Sequence, residues 1–406
     1  MGDTRREWRG LVVLPDEEIA DGVVITESDR IIWVGPAAAI PDELSGVSSE
    51  DLPDGAIIIP GLIDVHCHGG GGASFPDSTD LEQIKTAAGE HLRNGTTTLI
   101  ASLVTAPVEI LEQRAALLAE AVVMGIIEGI HFEGPFLSEA RCGAQDPRYL
   151  IPATPDVARR LVAAAKGKAV SMTIAPERVA GTVGQEALGT LVAGDILPSW
   201  GHTDSGIQTA EIAVRTGREF IGDKTTPTRG GRATVTHLFN GMRPLHHRDP
   251  GPISVFLAAA ERGEVVVEMI NDGTHLDPLL VHQVLELVGR DNAVFVTDAM
   301  AAAGMPDGDY VLGPQAVRVE GGVARLAEGG AIAGGTARLL DCVRTAVLKS
   351  HISLVDAVYL GTVQGARILG LTDRGELAPG KRADLVVLGS GNLDVLRVVR
   401  GGELID

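Results

Sequence analysis

The chain has 406 residues, with 54 Asp and Glu against 34 Lys and Arg, for a formal net charge of −20. That balance excludes a nucleic-acid binder, which needs a cationic surface to neutralise phosphates. Apolar residues at 45% and charged residues at 22% mark a chain that folds around a large core rather than one that stays disordered. The length fits two or three ordinary domains, or one α/β barrel of about 250 residues with a small companion.

From the start, Met1 to Trp8 leads into Asp16, Glu17 and Glu18, with no apolar stretch before a cleavage site. No apolar run approaches the roughly 20 residues of a membrane span. The cysteines Cys67, Cys142 and Cys342 are far apart and form no CxxC pair. These features predict a cytoplasmic protein without a disulfide framework or a membrane anchor. Between residues 10 and 60, the β-branched runs at 10–13, 22–25, 30–35 and 56–59 are bounded by Gly, Asp and Pro and read as short strands.

After Ile59 the pattern changes to short apolar runs followed by helical stretches, over about 240 residues. Eight runs, at 61–66, 97–102, 126–133, 170–175, 197–202, 235–237, 264–270 and 293–298, predict an α/β fold of the (β/α)8 type. Strand-like runs return at 384–388 and 395–402. Neither end is large enough to hold a core alone, so the two are expected to pair. The predicted organisation is a small β-sandwich domain built from 1–59 and 357–406 around a barrel of 60–356.

His66, His68, Glu133, His202, His237, His275 and Asp298 fall at or just beyond the C-terminal ends of these runs. In a barrel all such ends meet on one face, where active sites form. A single buried His is more often a hydrogen-bonded core residue than a ligand. Seven polar residues in phase have no such ordinary explanation. On a strand, His66 and His68 point to the same side and Cys67 to the other, toward the helix layer. Gly69-Gly70-Gly71-Gly72 lacks the GKS/T ending of a phosphate cradle and reads as room beside the site. Imidazoles with carboxylates suit Zn2+ or a related divalent ion, and coordination lowers the pKa of water from 15.7 to about 7. Asp298 is the natural base for that water and acid for a leaving group.

These residues resemble the amidohydrolase superfamily, through Pro60-Gly61-Leu62-Ile63-Asp64-Val65-His66-Cys67-His68 and the closing segment 375–387. Within it they are similar to the N-acetylglucosamine-6-phosphate deacetylases, through 131–136, 201–203, 236–242, 271–275, 296–300 and 332–335. The resemblance implies hydrolysis of N-acetylglucosamine 6-phosphate to glucosamine 6-phosphate and acetate, in amino-sugar catabolism and cell-wall recycling. It implies one or two divalent metals per subunit, with Zn2+ expected. Glu133, His202 and His237 would hold the main ion, His66 and His68 a second, and Asp298 would act as ligand and general base/acid. Ala144, Gln145, Asn240, Gly241, Arg248, His275, Ile332, Ala333 and Gly334 match the substrate contacts. The segment Arg243–Gly251 supplies the local cationic feature that a phosphorylated sugar needs on an acidic protein. In the family this arginine, Arg248, often reaches a neighbouring site, which implies a homodimer.

Two positions depart from the family. Gln145 stands where a histidine is common, and an amide donates a hydrogen bond but carries no charge. The segment 222–232 is longer than usual and rich in turn formers; it is expected to be a surface loop or subunit contact, with a lid as the alternative. Cys142, near the mouth, is either an inert thiol or redox-sensitive. The rival activity is another metal amidohydrolase of the dihydroorotase, hydantoinase or aminoacylase type. Many of those use a carboxylated Lys on the fourth strand, where this chain reads Thr173-Ile174-Ala175-Pro176-Glu177. A scaffold that had lost its catalysis would be expected to lack ligands, and the main ones are all present.

Overall fold

The structure, a computed structural model, describes residues 5–222 and 229–405. Eight parallel strands run through the middle of the chain: β1 Leu62–Cys67, β2 Thr96–Leu103, β3 Gly129–Glu133, β4 Ala169–Ile174, β5 Leu197–Trp200, β6 Ala233–Val235, β7 Val265–Met269 and β8 Ala293–Phe295. They neighbour one another in chain order within one sheet. Just past β8 the barrel closes, where the Asp298 N–H donates to His66 O at 2.9 Å and the His68 N–H to Ala299 O at 2.7 Å. Closure therefore falls at the rim that carries the expected site.

The expected runs are all strands, but three stop short of the site residue that closes the run. His202, His237 and Asp298 lie beyond β5, β6 and β8, in left-handed backbone with φ of 46°, 30° and 47°. Such conformations are uncommon away from glycine, and they turn these side chains into the mouth instead of continuing the strand. The strands are buried on both faces because helices cover the outside. Helix Leu81–Arg93 is typical: Asp80 caps it by accepting from Gln83 N–H, and Ile84, Ala87, Ala88 and His91 form its buried stripe.

Strands from both ends of the chain form one seven-stranded sheet, in the order Glu403–Ile405, Val395–Arg400, Leu385–Leu388, Ile57–Pro60, Arg5–Val13, Glu18–Glu27, Arg30–Pro36. Its period-two pattern serves two cores. Ile57, Ile59, Val386 and Leu388 join the barrel core, whereas Ala56, Ile58, Leu385 and Val387 join a separate core with Trp8, Val24, Ile31 and Val399. That second core draws on strands from across the sheet, so the sheet curls over it. The domain limit expected at 357 falls inside helix Leu354–Gly361, whose Ala357, Val358 and Leu360 pack in the barrel core, as do Ile368 and Leu369 of the following helix Val363–Leu369.

One element was not foreseen. Gly308–Leu312, Gln315–Glu320 and Val323–Leu326 form a three-stranded antiparallel sheet after β8. Its inner face, Leu312, Val317, Val319 and Ala324, packs on Val104, Met300 and Ala333. Of the segment 222–232, residues 223–228 lie outside the described residues. The described part after it is tied beside the N-terminal ends of barrel strands: the Arg229 N–H donates to Asp195 Oδ1 (3.1 Å) and Arg232 to Asn292 Oδ1 (2.6 Å). Those anchors sit on the face opposite the mouth, beside the starts of β5 and β8.

Candidate active site

The mouth holds a cavity of about 260 Å³ lined by His68, Glu133, Gly143, Ala144, Gln145, His202, His237, Asn240, Gly241, His275, Asp298, Leu312, Ala331, Ile332 and Gly334. Of the residues expected at the site, His66 lies directly beneath, fully buried. The Ala333 side chain faces the apolar core under the three-stranded sheet. Arg248 is exposed on the loop after β6 and does not line this cavity; its backbone N–H donates to His246 Nδ1 at 3.3 Å.

Two donor sets that could hold a metal ion share Glu133: His66, His68, Glu133 and Asp298, and Glu133, His202 and His237. Glu133 Oε1 lies 2.9 Å from His237 Nε2 and 3.1 Å from His202 Nε2, and its Oε2 lies 3.2 Å from His68 Nε2. Asp298 Oδ1 is 3.1 Å from His68 Nε2 and 3.5 Å from His66 Nε2. The outer ring nitrogens of His68 and His202 are engaged by backbone carbonyls. His202 Nδ1–H donates to Arg141 O at 2.8 Å and His68 Nδ1–H to Ser102 O at 3.2 Å. A carbonyl only accepts, so each Nδ1 carries the proton and each Nε2 can turn a lone pair inward. That brings the Nε2 atoms of His66 and His68 to 3.1 Å, and those of His202 and His237 to 3.1 Å. Facing lone pairs repel unless a cation lies among them, so the donor set fits a divalent ion.

The electrostatics agree. Burial works against charge throughout the site, yet hydrogen bonds to Asp298 and Glu133 push His68 up to about 10. Burial would likewise raise Asp298, but the hydrogen bond from His68 and the charge of His66 hold it at about 2. Glu133, also opposed by burial, is held well below the carboxylate range by His202, His237 and His68. These carboxylates demand positive charge, and a bound cation supplies it. Burial lowers His275, but its 2.8 Å partner Asp272 reverses the shift and raises it.

The surrounding residues explain local details. Gly241 has φ +60°, and a Cβ there would come 2.8 Å from His202 Nδ1, so backbone must approach the ligand without a side chain. Gln145 Oε1 accepts from Thr105 N–H at 2.7 Å, which fixes its amide group against Glu133 Oε2. Cys67 faces outward as expected, with its Sγ 3.3 Å from His91 Nε2. Burial raises the Cys142 thiol, which favours the inert reading. The sequence reading missed Asp64, Thr297 and Glu268. Asp64 Oδ2 accepts from Thr297 Oγ1 at 2.6 Å and Oδ1 from His66 N–H at 3.2 Å, so it ties β1 to the segment after β8; burial pushes its carboxyl up to about 6. Glu268 interrupts the apolar run Val265–Ile270, a signal that could have marked it.

The amidohydrolase family pattern matches residues 57–405. An N-acetyl-D-glucosamine-6-phosphate deacetylase mutant from Mycobacterium smegmatis, solved in complex with N-acetyl-D-glucosamine-6-phosphate, is 36% identical, with a TM-score of 0.88 over 100% of both chains. The N-acetylglucosamine-6-phosphate deacetylase of Bacillus subtilis is 30% identical over 94% of this chain and 96% of its own. An N-acetylgalactosamine-6-phosphate deacetylase of Shewanella is 29% identical over 98% of this chain and 95% of its own. Among the described residues no helix is long and apolar enough to cross a membrane. The chain belongs to the amidohydrolase family and, within it, to the N-acetylglucosamine-6-phosphate deacetylases.

Proposed function

We propose that this chain hydrolyses the acetamide of N-acetylglucosamine 6-phosphate, releasing acetate and glucosamine 6-phosphate. The observation that carries the reading is the pair of donor sets sharing Glu133, with Asp298 3.1 Å from His68, at the mouth of a barrel whose relatives carry this activity over their whole length.

Glu133, His202 and His237 would hold a divalent ion, Zn2+ by the balance of imidazole and carboxylate, and His66 and His68 a second. A cation seated there supplies polarisation of the amide carbonyl and a more acidic water. Asp298 accepts the proton of the attacking water and returns it to the amide nitrogen as the C–N bond breaks, so one water and one amide give a carboxylate product and an amine. Asn240, Gly241 and His275 face the sugar, and Ala144, Ile332 and Gly334 close the other side. Arg248 pairs with the phosphate of the neighbouring subunit's substrate in a homodimer, which accounts for an arginine exposed outside its own cavity. The reading includes a cytoplasmic location and a two-module chain, with the helices through Leu369 assigned to the barrel.

Acetate release by zinc-loaded protein tests this reading, with N-acetylglucosamine 6-phosphate, its galactosamine epimer, the unphosphorylated sugar and a chelated control side by side. Chelator-sensitive release that requires the phosphate and favours the glucosamine epimer is the expected result. Preference for the galactosamine epimer would move the assignment to that substrate, and no release from any of them would overturn it.

A further inference from the structure

Beneath the mouth, the barrel interior holds a chain of hydrogen bonds that the deacetylation scheme does not use. His131 Nε2 lies 2.9 Å from Thr173 Oγ1, which lies 2.8 Å from Thr236 Oγ1. Thr236 meets Ser199 Oγ at 2.5 Å, and Ser199 meets Thr234 Oγ1 at 2.6 Å. Thr234 Oγ1 donates to Glu268 Oε1 at 2.9 Å; the other oxygen accepts from His66 Nδ1 at 3.2 Å, and its contact with the other donor set is limited to the backbone N–H of His237 at 3.4 Å, with no ring nitrogen. Both Glu268 and His66 are buried, at 2% and 0% exposure. A buried carboxylate is costly unless its partners need its charge.

The four imidazoles of the site differ in what stands behind them. His68 and His202 lean on the neutral carbonyls of Ser102 and Arg141, and His237 Nδ1 is buried without a hydrogen-bond partner. His66 leans on a carboxylate, which fixes its Nδ1–H tautomer and makes its Nε2 lone pair a stronger donor to a cation seated among His68, Asp298 and Glu133. Charge counting points the same way. Glu133 and Asp298 together balance one dication, and a third carboxylate is needed before a second dication is nearly balanced. Asp64 does not fill that role, because it meets the Thr297 hydroxyl and backbone N–H groups and no ring nitrogen of the site.

We propose that Glu268 is a positioning residue that sets the affinity of the His66–His68–Asp298 metal seat independently of the Glu133–His202–His237 seat. This rests on the two-seat reading above. Glu268→Gln keeps the shape and an acceptor for His66 but removes the charge; Glu268→Leu removes both.

Metal per chain after equilibration with buffered Zn2+, and affinities from chelator competition, test the proposal without reference to turnover. Wild type should hold two ions. Glu268→Gln should weaken one of them by about 10- to 100-fold and leave the other unchanged, and Glu268→Leu should hold one. Two ions with unchanged affinities in Glu268→Gln would overturn the proposal, as would equal weakening of both. A single ion in wild type would instead overturn the two-seat reading itself. Should Glu268→Leu fail to fold, as judged by circular dichroism, the near-isosteric Gln variant decides alone.

Discussion

The role proposed for Asp298 sets two requirements on one side chain: it must be ionised to accept a proton, and it must lie beside the donor set that would hold the metal. Without a cation, a hydrogen bond from His68 and the charge of His66 keep it ionised against burial, and a cation held by neutral imidazoles would take over that role; the 3.1 Å contact with His68 meets the second requirement. Asp298→Asn keeps the shape and loses the base, so kcat should fall by about 10²- to 10⁴-fold with folding and most bound metal retained; near-normal turnover at full metal content would remove Asp298 from the proton transfer. Arg248 makes a different prediction. Its substitution by Ala should raise KM for the phosphorylated sugar with little change for the unphosphorylated one, because an exposed guanidinium outside the cavity can meet only the distal anion. Equal effects on both sugars would end the phosphate assignment. That these imidazoles and carboxylates gather at one mouth could be read from sequence because they recur at the same phase of successive runs. Glu268, Asp64 and Thr297 could not, since each acts through a partner distant in sequence and only folding brings them together.

Three loops beyond strand ends are joined by one carboxylate. Asp204, after β5, receives Arg243 Nη2 at 2.8 Å from the loop after β6 and Arg141 Nε at 2.8 Å from the loop after β3. The hydrogen bond from Arg243, followed by that from Arg141, holds Asp204 at about 2, below its ordinary 3.8. A depressed carboxyl contributes stability that is present above the unfolded pKa and is lost as pH falls toward the folded one. The urea midpoint of Asp204→Asn should therefore lie below that of wild type at neutral pH, and the gap should close as pH drops from about 4 toward 2. A gap independent of pH would mean that the pairing contributes nothing through charge. The three-stranded sheet after β8 is the element that sequence reading passed over, although Val317-Arg318-Val319-Glu320 alternates as a half-buried strand should. It brings Leu312 to the cavity wall near Ala144, and Ala144 adjoins Gln145, which touches Glu133. In the proposed reaction the carbonyl carbon sits at the donor cluster, so its methyl group needs an apolar neighbour one bond away, and Leu312 and Ile332 are the largest apolar side chains of the cavity wall. Leu312→Ala should raise kcat/KM for N-propionyl and N-butyryl substrates relative to N-acetyl; an unchanged order of acyl chains would place the methyl group elsewhere.

At the scale of the molecule, the alternation of apolar runs and helices was enough to give the barrel, and the β-branched runs at the two ends were enough to bring the termini together. The sequence could not show that one strand is shared so closely. Ile57–Pro60 pairs with Arg5–Val13 on one side and Leu385–Leu388 on the other, and it leads directly into β1, which carries His66. The side chains of Leu385–Leu388 divide between the two cores, Val386 and Leu388 with the barrel and Leu385 and Val387 with Trp8. Burying an aliphatic side chain of this size contributes about 1.5–3 kcal/mol, so these four together contribute roughly 6–12 kcal/mol. That is comparable to the whole stability of an ordinary domain, about 5–15 kcal/mol. A chain stopped before Leu385 should therefore fail to fold as a whole instead of leaving an intact barrel, and it should bind no zinc stoichiometrically. Full-length protein should unfold in one transition, with tryptophan fluorescence, which reports on Trp8 and Trp33 in the terminal sheet and Trp200 in β5, coincident with far-ultraviolet circular dichroism. A truncated chain that stayed soluble and kept its metal, or separate transitions for the two probes, would show that the terminal sheet is an accessory to the barrel and not part of its folding unit.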